Sequence, residues 1–362
     1  MRKIFILFFL LLMFLPIKSK AFDTSATSAI LMDMDSGRIL YSKDIHNVRT
    51  VASISKIMTC IVAIESGKLN DIVTIGDEIL PAYGSGIYIK QGEQIKLEDL
   101  LYGLMLRSGN DAALAIANYV GGDVNKFVEL MNKKAMEIGM KNSTFNNPSG
   151  LDQEKGNYST AYDMAILTSY AMKNNTYKKI VGTKKYTLKT NMNTYVWYNK
   201  NKLLTTYKYT TGGKTGFTDK ARRTLVTTAS CDNLNLVAVT LNDGNDFSDH
   251  KNLFEEAFNN YSSYKLLQAG DINIYEEKYY INKQLYIKEN FSYPMLKTEQ
   301  NNLYLKIELN RKEDVKNDEK VGIIYVMNSD KELFKTDIYV KDIAKKELKW
   351  YQKIAKWWKN IW

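Results

Sequence analysis

Histidine is nearly missing from this chain of 362 residues: His46 and His250 are the only two. Transition-metal sites need imidazole or thiolate ligands at close spacing, and no Cys/His cluster here has it, so no metal and no other cofactor is expected. A Ser-His-Asp triad would have to recruit one of these histidines, and neither lies in a Gly-x-Ser-x-Gly context. Cysteine is as scarce. Cys60 and Cys231 either pair in an oxidising compartment or stay as two buried thiols; the second is expected, because neither position looks like a stapled loop. There is no long repeat, no low-complexity linker and no basic-aromatic nucleic-acid module. The net charge of +10 is spread along the chain and suits an anionic wall or membrane surface, not nucleic acid.

What is present suits two domains, or one large domain with an appendage, and a hydrophobic content of 45% is ample for a core. Arg2 and Lys3 precede the apolar run Ile4 to Leu15, and Ser19-Lys20-Ala21 supplies the small residues of a cleavage site. Residues 1–21 therefore read as a signal peptide cut after Ala21, the alternative being an uncleaved anchor; the run is short for a full span of about 20 residues. At the other end, residues 343–362 carry Lys345, Lys346, Lys349, Lys353, Lys356 and Lys359. Ile343, Trp350, Tyr351, Ile354, Trp357, Trp358, Ile361 and Trp362 fall mostly on the other side of a helix. Too polar to cross a bilayer, this segment (342–362 as a unit) reads as an amphipathic helix lying on an anionic membrane surface.

Between these ends, residues 28–35 and Arg38 to Ser42 read as a hairpin. An apolar helix runs from Ser53 toward Gly67, and 71–96 is a strand-and-loop stretch centred on Gly84-Ser85-Gly86. A helix marked by Leu97, Leu100, Leu101, Leu104 and Met105 stops at Ser108-Gly109-Asn110-Asp111. Helices from Ala112 to Val120, Val124 to Ile138 and Thr160 to Met172 follow, with Asn147-Pro148-Ser149-Gly150 as a structural loop. Strands at about 214–218, 223–230 and 234–242 precede a helix from Asp249 to Tyr261. This order predicts a mixed α/β sandwich over 22–262. From 270 to 340, short alternating runs (Ile272 to Tyr275, Leu285 to Ile287, Leu303 to Leu309, Val321 to Val326) predict a small antiparallel β domain.

The chemistry-bearing stretch is Ser53-Ile54-Ser55-Lys56. Three residues on a helix is nearly one turn, so Ser53 and Lys56 share a face. A serine hydroxyl becomes a nucleophile when a neighbour takes its proton, and a lysine does so only when neutral, a state favoured by burial beside a second cation. A serine at a helix start also sits near unpaired backbone N–H groups. Alone the motif is weak. Here it is followed, in order, by Ser108-Gly109-Asn110 and Lys214-Thr215-Gly216.

The set resembles the penicillin-binding proteins and serine β-lactamases, and the chain looks like the low-molecular-mass D-alanyl-D-alanine carboxypeptidases in particular. The flanks carry this as well: Ala52 to Thr59, Ser108 to Ala113, Asn147-Pro148-Ser149-Gly150-Leu151, Tyr158-Ser159-Thr160-Ala161 and Gly213-Lys214-Thr215-Gly216-Phe217-Thr218. The resemblance implies a β-lactamase/transpeptidase-like fold. It implies an exported enzyme on the outer face of the bacterial cytoplasmic membrane that trims peptidoglycan stem peptides and takes β-lactam antibiotics as inhibitors. Ser53 is the implied nucleophile, Lys56 its base, Ser108 a proton relay and Asn110 a holder of Lys56 or of a substrate amide. Lys214 would keep Lys56 neutral, Thr215 bind the terminal carboxylate, Gly216 allow close approach, and the N–H groups of Ser53 and Phe217 form an oxyanion hole.

Two departures matter. Members of that family often carry an arginine after the next strands to clamp the carboxylate, and no arginine occurs from Thr224 to Tyr261; Arg222 or Arg223 is the expected substitute. Ala221-Arg222-Arg223-Thr224 together with Asp246-Phe247-Ser248-Asp249-His250 resembles the branch that works on the spore cortex. The rival readings are a β-lactamase, for which no deacylating glutamate is found between the second and third motifs, and a non-catalytic β-lactam- or peptidoglycan-sensing protein, which has no need of Lys56.

Overall fold

The computed structural model describes residues 23–152, 155–274, 279–280, 283–312 and 314–342. The signal peptide expected at 1–21 and the amphipathic segment 343–362 lie outside these residues. Among the described residues no helix is long and apolar enough to cross a membrane. The chain divides into two compact units, residues 1–260 and 261–362.

The first unit is built on a five-stranded antiparallel sheet of β1 (Ser28–Asp33), β2 (Ile39–Lys43), β3 (Thr210–Thr218), β4 (Arg222–Cys231) and β5 (Leu234–Leu241), in the order β2-β1-β5-β4-β3. All six residues of β1 are buried. Successive side chains point to opposite faces, so the strand is covered on both sides, which is why its centre, Ala29 to Met32, reads as an unbroken apolar run. The longer helices are α1 (Lys56–Glu65), α2 (Leu97–Tyr102), α3 (Asn110–Gly121), α4 (Val124–Glu137), α5 (Ala161–Ala171), α6 (Asn175–Gly182) and α7 (Asp246–Asn260). Every residue of α1 from Lys56 to Ile64 is buried, so this helix runs through the core. A helix apolar all round is stable only there. It ends where expected: Gly67 takes φ +75° and its N–H reaches the Ile64 carbonyl.

The second unit is an antiparallel sheet of β6 (Gly270–Ile272), β7 (Lys283–Ile287), β8 (Leu303–Leu309), β9 (Glu319–Asn328) and β10 (Lys331–Asp342), in the order β6-β7-β10-β9-β8. A separate pair joins 262–267 to 291–295. Its own core includes Leu285, Ile287, Val321, Ile324, Val326, Ile338 and Val340. The α/β fold followed by a small antiparallel β domain is as the sequence pattern predicts.

Several details differ from the pattern. Asp342 closes the last strand instead of opening a helix. The helix before Ser108 turns into a π segment at Gly103–Arg107, and Asn110 and Asp111 form the first turn of α3 instead of a connecting loop. Helix α6 and the hairpin Lys185–Lys189 with Thr194–Tyr198 were not anticipated. Both cysteines are free, and only Cys60 is buried; Cys231, at the end of β4, is half-buried.

Candidate active site

Ser53 lies in one turn of 3-10 helix, Ala52–Ser55, that leads into α1. Ala52 holds φ +51°, a left-handed conformation costly for a residue with a Cβ. Three contacts hold it in place. Thr224 on β4 donates its hydroxyl hydrogen to the Val51 carbonyl at 3.1 Å. Gly150, at φ +79°, packs so closely that a Cβ there would lie 2.1 Å from the Ala52 carbonyl oxygen. Asn157 donates to both the Ser55 hydroxyl and the Asn147 carbonyl at 2.9 Å, tying the nucleophile turn to the loop opposite.

Lys56 is fully buried, and its amine is surrounded by oxygen. It reaches the Ser53 Oγ at 3.1 Å and the Asn110 Oδ1 at 2.7 Å, and makes a short contact with the Ser149 carbonyl. Burial, and then the Lys200 cation, pull its pKa down to about 7 against the opposing Asp111 carboxylate. Lys214, on β3, is also buried and donates to the Thr215 carbonyl at 2.7 Å. Burial, then Lys56, then Lys200 hold its pKa well below the usual lysine range. Lys56 thus acts on Lys214, while burial and Lys200 are what disfavour the charge on Lys56 itself, the condition a lysine base requires.

Ser108 is buried with φ +65° at the end of the π segment. With Ser53 it lines a cleft of about 370 Å³ whose other walls include Ser85, Lys200, Thr215, Gly216, Phe217, Arg223, Asp246 and Phe247. Gly216 is required by close packing: a Cβ would sit 2.4 Å from the Thr224 Oγ1 and 3.1 Å from the Ser53 amide nitrogen. Strand β3 thus lies against the nucleophile turn, and among the described residues no further strand pairs with its outer edge. Of the two arginines, Arg223 lines the cleft, held by Asp246 at 2.6 Å and lying over Phe247. Arg222 stands outside, at the turn between β3 and β4. The two segments that carry the spore-cortex resemblance therefore meet in the fold.

Four parts of this site lie outside the three sequence motifs. The Ser149 carbonyl is a main-chain group in a loop read as structural, and no side-chain pattern announces it. Lys200 sits in an irregular stretch without a motif and donates to Ser85 at 3.1 Å. Ser85 lay in plain view between two glycines. Asp111 was visible beside Asn110, but its task was not. Its buried carboxylate accepts from the N–H of Ile87 (3.0 Å) and Tyr88 (2.6 Å), while Asn110 donates its N–H to the Ser85 carbonyl (2.8 Å) and its side-chain amide to the Tyr83 carbonyl (2.6 Å). The start of α3 thereby fixes the glycine-rich loop as one wall of the cleft. Among the described residues no group of His, Cys, Asp and Glu could hold a metal.

The family model described as D-alanyl-D-alanine carboxypeptidase matches residues 16–245. The chain belongs to that family. It is a serine-type hydrolase of the D-alanyl-D-alanine carboxypeptidase class and a low-molecular-mass penicillin-binding protein. A second model, the C-terminal domain of penicillin-binding protein 5, matches residues 261–346. The D-alanyl-D-alanine carboxypeptidase DacF of Bacillus subtilis is 34% identical over 75% of this chain and 71% of its own length. DacA of Haemophilus influenzae is 33% identical over 72% and 68%. The crystal structure of penicillin-binding protein 5 from Haemophilus influenzae superposes with a TM-score of 0.76 at 27% identity, covering 89% of this chain and 98% of that one.

Proposed function

We propose that the enzyme removes the terminal D-alanine of peptidoglycan pentapeptides through an acyl-enzyme on Ser53, with neutral Lys56 as the base. The observation that carries this is the environment of the Lys56 amine. A neutral amine has two hydrogens and one lone pair. The two hydrogens have acceptors in Asn110 Oδ1 and the Ser149 carbonyl, which leaves the lone pair for the Ser53 hydroxyl 3.1 Å away.

In this scheme the Ser53 Oγ attacks the carbonyl between the two D-alanines as its proton passes to Lys56. The oxyanion is held by the N–H groups of Ser53 and Phe217. The C–N bond breaks, the proton returns through Lys56 and Ser108 to the departing amine, and water later hydrolyses the ester. Thr215 and Arg223 receive the leaving carboxylate, with Arg223 bringing the positive charge and Lys214 buried beside Thr215 on the same strand. A β-lactam would acylate the same serine. D-alanine release from a D-alanyl-D-alanine pentapeptide tests this: the wild type should release it and Ser53→Ala should not. Equal release by both would end the proposal.

The location is proposed on the sequence of 343–362: the enzyme is exported and held on the outer face of the cytoplasmic membrane by that segment, lysines on anionic lipid and tryptophans at headgroup depth. A role at the spore cortex is proposed from the segments around Arg223 and Asp246. Deleting the gene in a spore former should change cortex stem peptides and leave vegetative wall unchanged; an unaltered cortex would remove that role.

A further inference from the structure

Arg222 is an arginine where the backbone asks for glycine. It follows the turn 219–221 at φ +58°, in the left-handed region that a residue with a Cβ adopts only under strain. The turn is held in place: the Thr218 hydroxyl donates to Asp152 at 2.6 Å and accepts the Ala221 N–H at 3.1 Å. The side chain is exposed and makes no ion pair among the described residues; its guanidinium rests 6.0 Å from the centroid of the Phe217 ring. Phe217 is itself 58% exposed and lines the cleft. An unpaired cation, stacked on an aromatic ring at the lip of the cleft, is a ready partner for a carboxylate.

The position along β3 says which carboxylate. Gly216 lies against Ser53, so the scissile bond sits at that level. Lys214 and Thr215 precede it and take the leaving residue. The acyl half of a peptide laid along the outer edge of β3 then runs past Phe217 and Thr218, and Thr218 is the register partner of Arg222. We infer that Arg222 is a specificity-determining residue that pairs with a side carboxylate on the acyl half of the stem peptide, distinct from the carboxylate of the departing D-alanine. This rests on the carboxypeptidase reading above. Two positions of a stem peptide offer that chemistry: a third-position diamino acid with its own carboxylate, and the free α-carboxylate of a γ-linked glutamate.

The test compares kcat/KM for D-alanine release from four pentapeptides, with lysine or diaminopimelate at the third position and glutamate either free or amidated. The full-length enzyme is compared with Arg222→Gly and with Arg222→Asn, both residues that tolerate the left-handed turn. An exposed ion pair of about 1 kcal/mol corresponds to about fivefold. The wild type should favour the carboxylate-bearing peptide by about that factor at one of the two positions. The preference should shrink in high salt and fall toward one in both variants, while the melting temperature holds or rises. Whichever pair of peptides shows the preference identifies the carboxylate. D-alanine release with the same ratios in wild type and variants would overturn this inference alone. Absence of release from all four peptides would overturn it together with the proposed activity.

Discussion

The pH dependence of Ser53 acylation follows from the Lys56 amine. At its ordinary pKa of 10.5 a lysine is neutral in about one molecule per thousand near pH 7.4. With the pKa pulled down to about 7, roughly 70% are neutral at the same pH. The sign is that of a base: protonated Lys56 is inert, so acylation rises with pH and levels off above the pKa. Between pH 6 and 8 the neutral fraction climbs from about 9% to about 91%, a tenfold gain in rate. Because Lys214 is buried beside it, the apparent value belongs to the pair of amines. The second arm is Lys200→Gln. Removing a cation that disfavours the charge on Lys56 moves the acidic limb toward higher pH. Lys200 is exposed, so that shift should shrink in high salt. Single-turnover labelling with a fluorescent penicillin, from pH 5.5 to 9, measures both. A flat profile across this range, or a Lys200→Gln limb displaced toward lower pH, would refute the neutral-lysine reasoning.

Other consequences are as direct. Arg223→Ala should cut kcat/KM for a peptide with a free C-terminal carboxylate by tenfold or more, since a charge-assisted bond of roughly 1.5–3 kcal/mol is lost, and barely affect its amide; equal losses on both would show that Arg223 does not read the carboxylate. Gly216→Ala forces a methyl group to within 2.4 Å of the Thr224 Oγ1 and 3.1 Å of the Ser53 nitrogen, so acylation should fall roughly tenfold or more through misplacement of β3; a normal rate would mean that the strand need not approach so closely. A signal-less chain ending at Asp342 should stay in solution with anionic vesicles while one ending at Trp362 sediments, weakened but not released by salt because each lysine contributes roughly 1 kcal/mol and the tryptophans add an unscreened apolar term; equal sedimentation would leave 343–362 without an anchoring role.

How much of this was legible depends on where the information lies. The apolar runs of β1 and α1, buried on every side, announce themselves because burial leaves little choice of residue. The three motifs, Ser53 to Lys56, Ser108 to Asn110 and Lys214 to Gly216, are legible because each carries its chemistry on side chains at short spacing. The Ser149 carbonyl is a main-chain acceptor and has no residue type to betray it. Lys200 reaches the cleft from the stretch after the hairpin 185–198, a contact between parts of the chain more than a hundred residues from Ser85 and Lys56. Asp111 illustrates the middle case: the residue was in view, but its work depends on three-dimensional proximity of the 87–89 backbone. Strand β10 has no run of its own in the sequence pattern because its pairing to β9 shifts register at Leu333-Phe334, where two apolar residues in succession break the period-two signal.

The central claim is that Ser53 becomes covalently acylated with Lys56 as its base. Intact-protein mass spectrometry after brief exposure to penicillin, followed by peptide mapping, tests it most directly. One penicilloyl adduct is expected on the peptide containing Ser53, absent in Ser53→Ala and lost or greatly slowed in Lys56→Arg, whose guanidinium does not deprotonate. An adduct mapped to another serine, or near-normal acylation of Lys56→Arg, would contradict it.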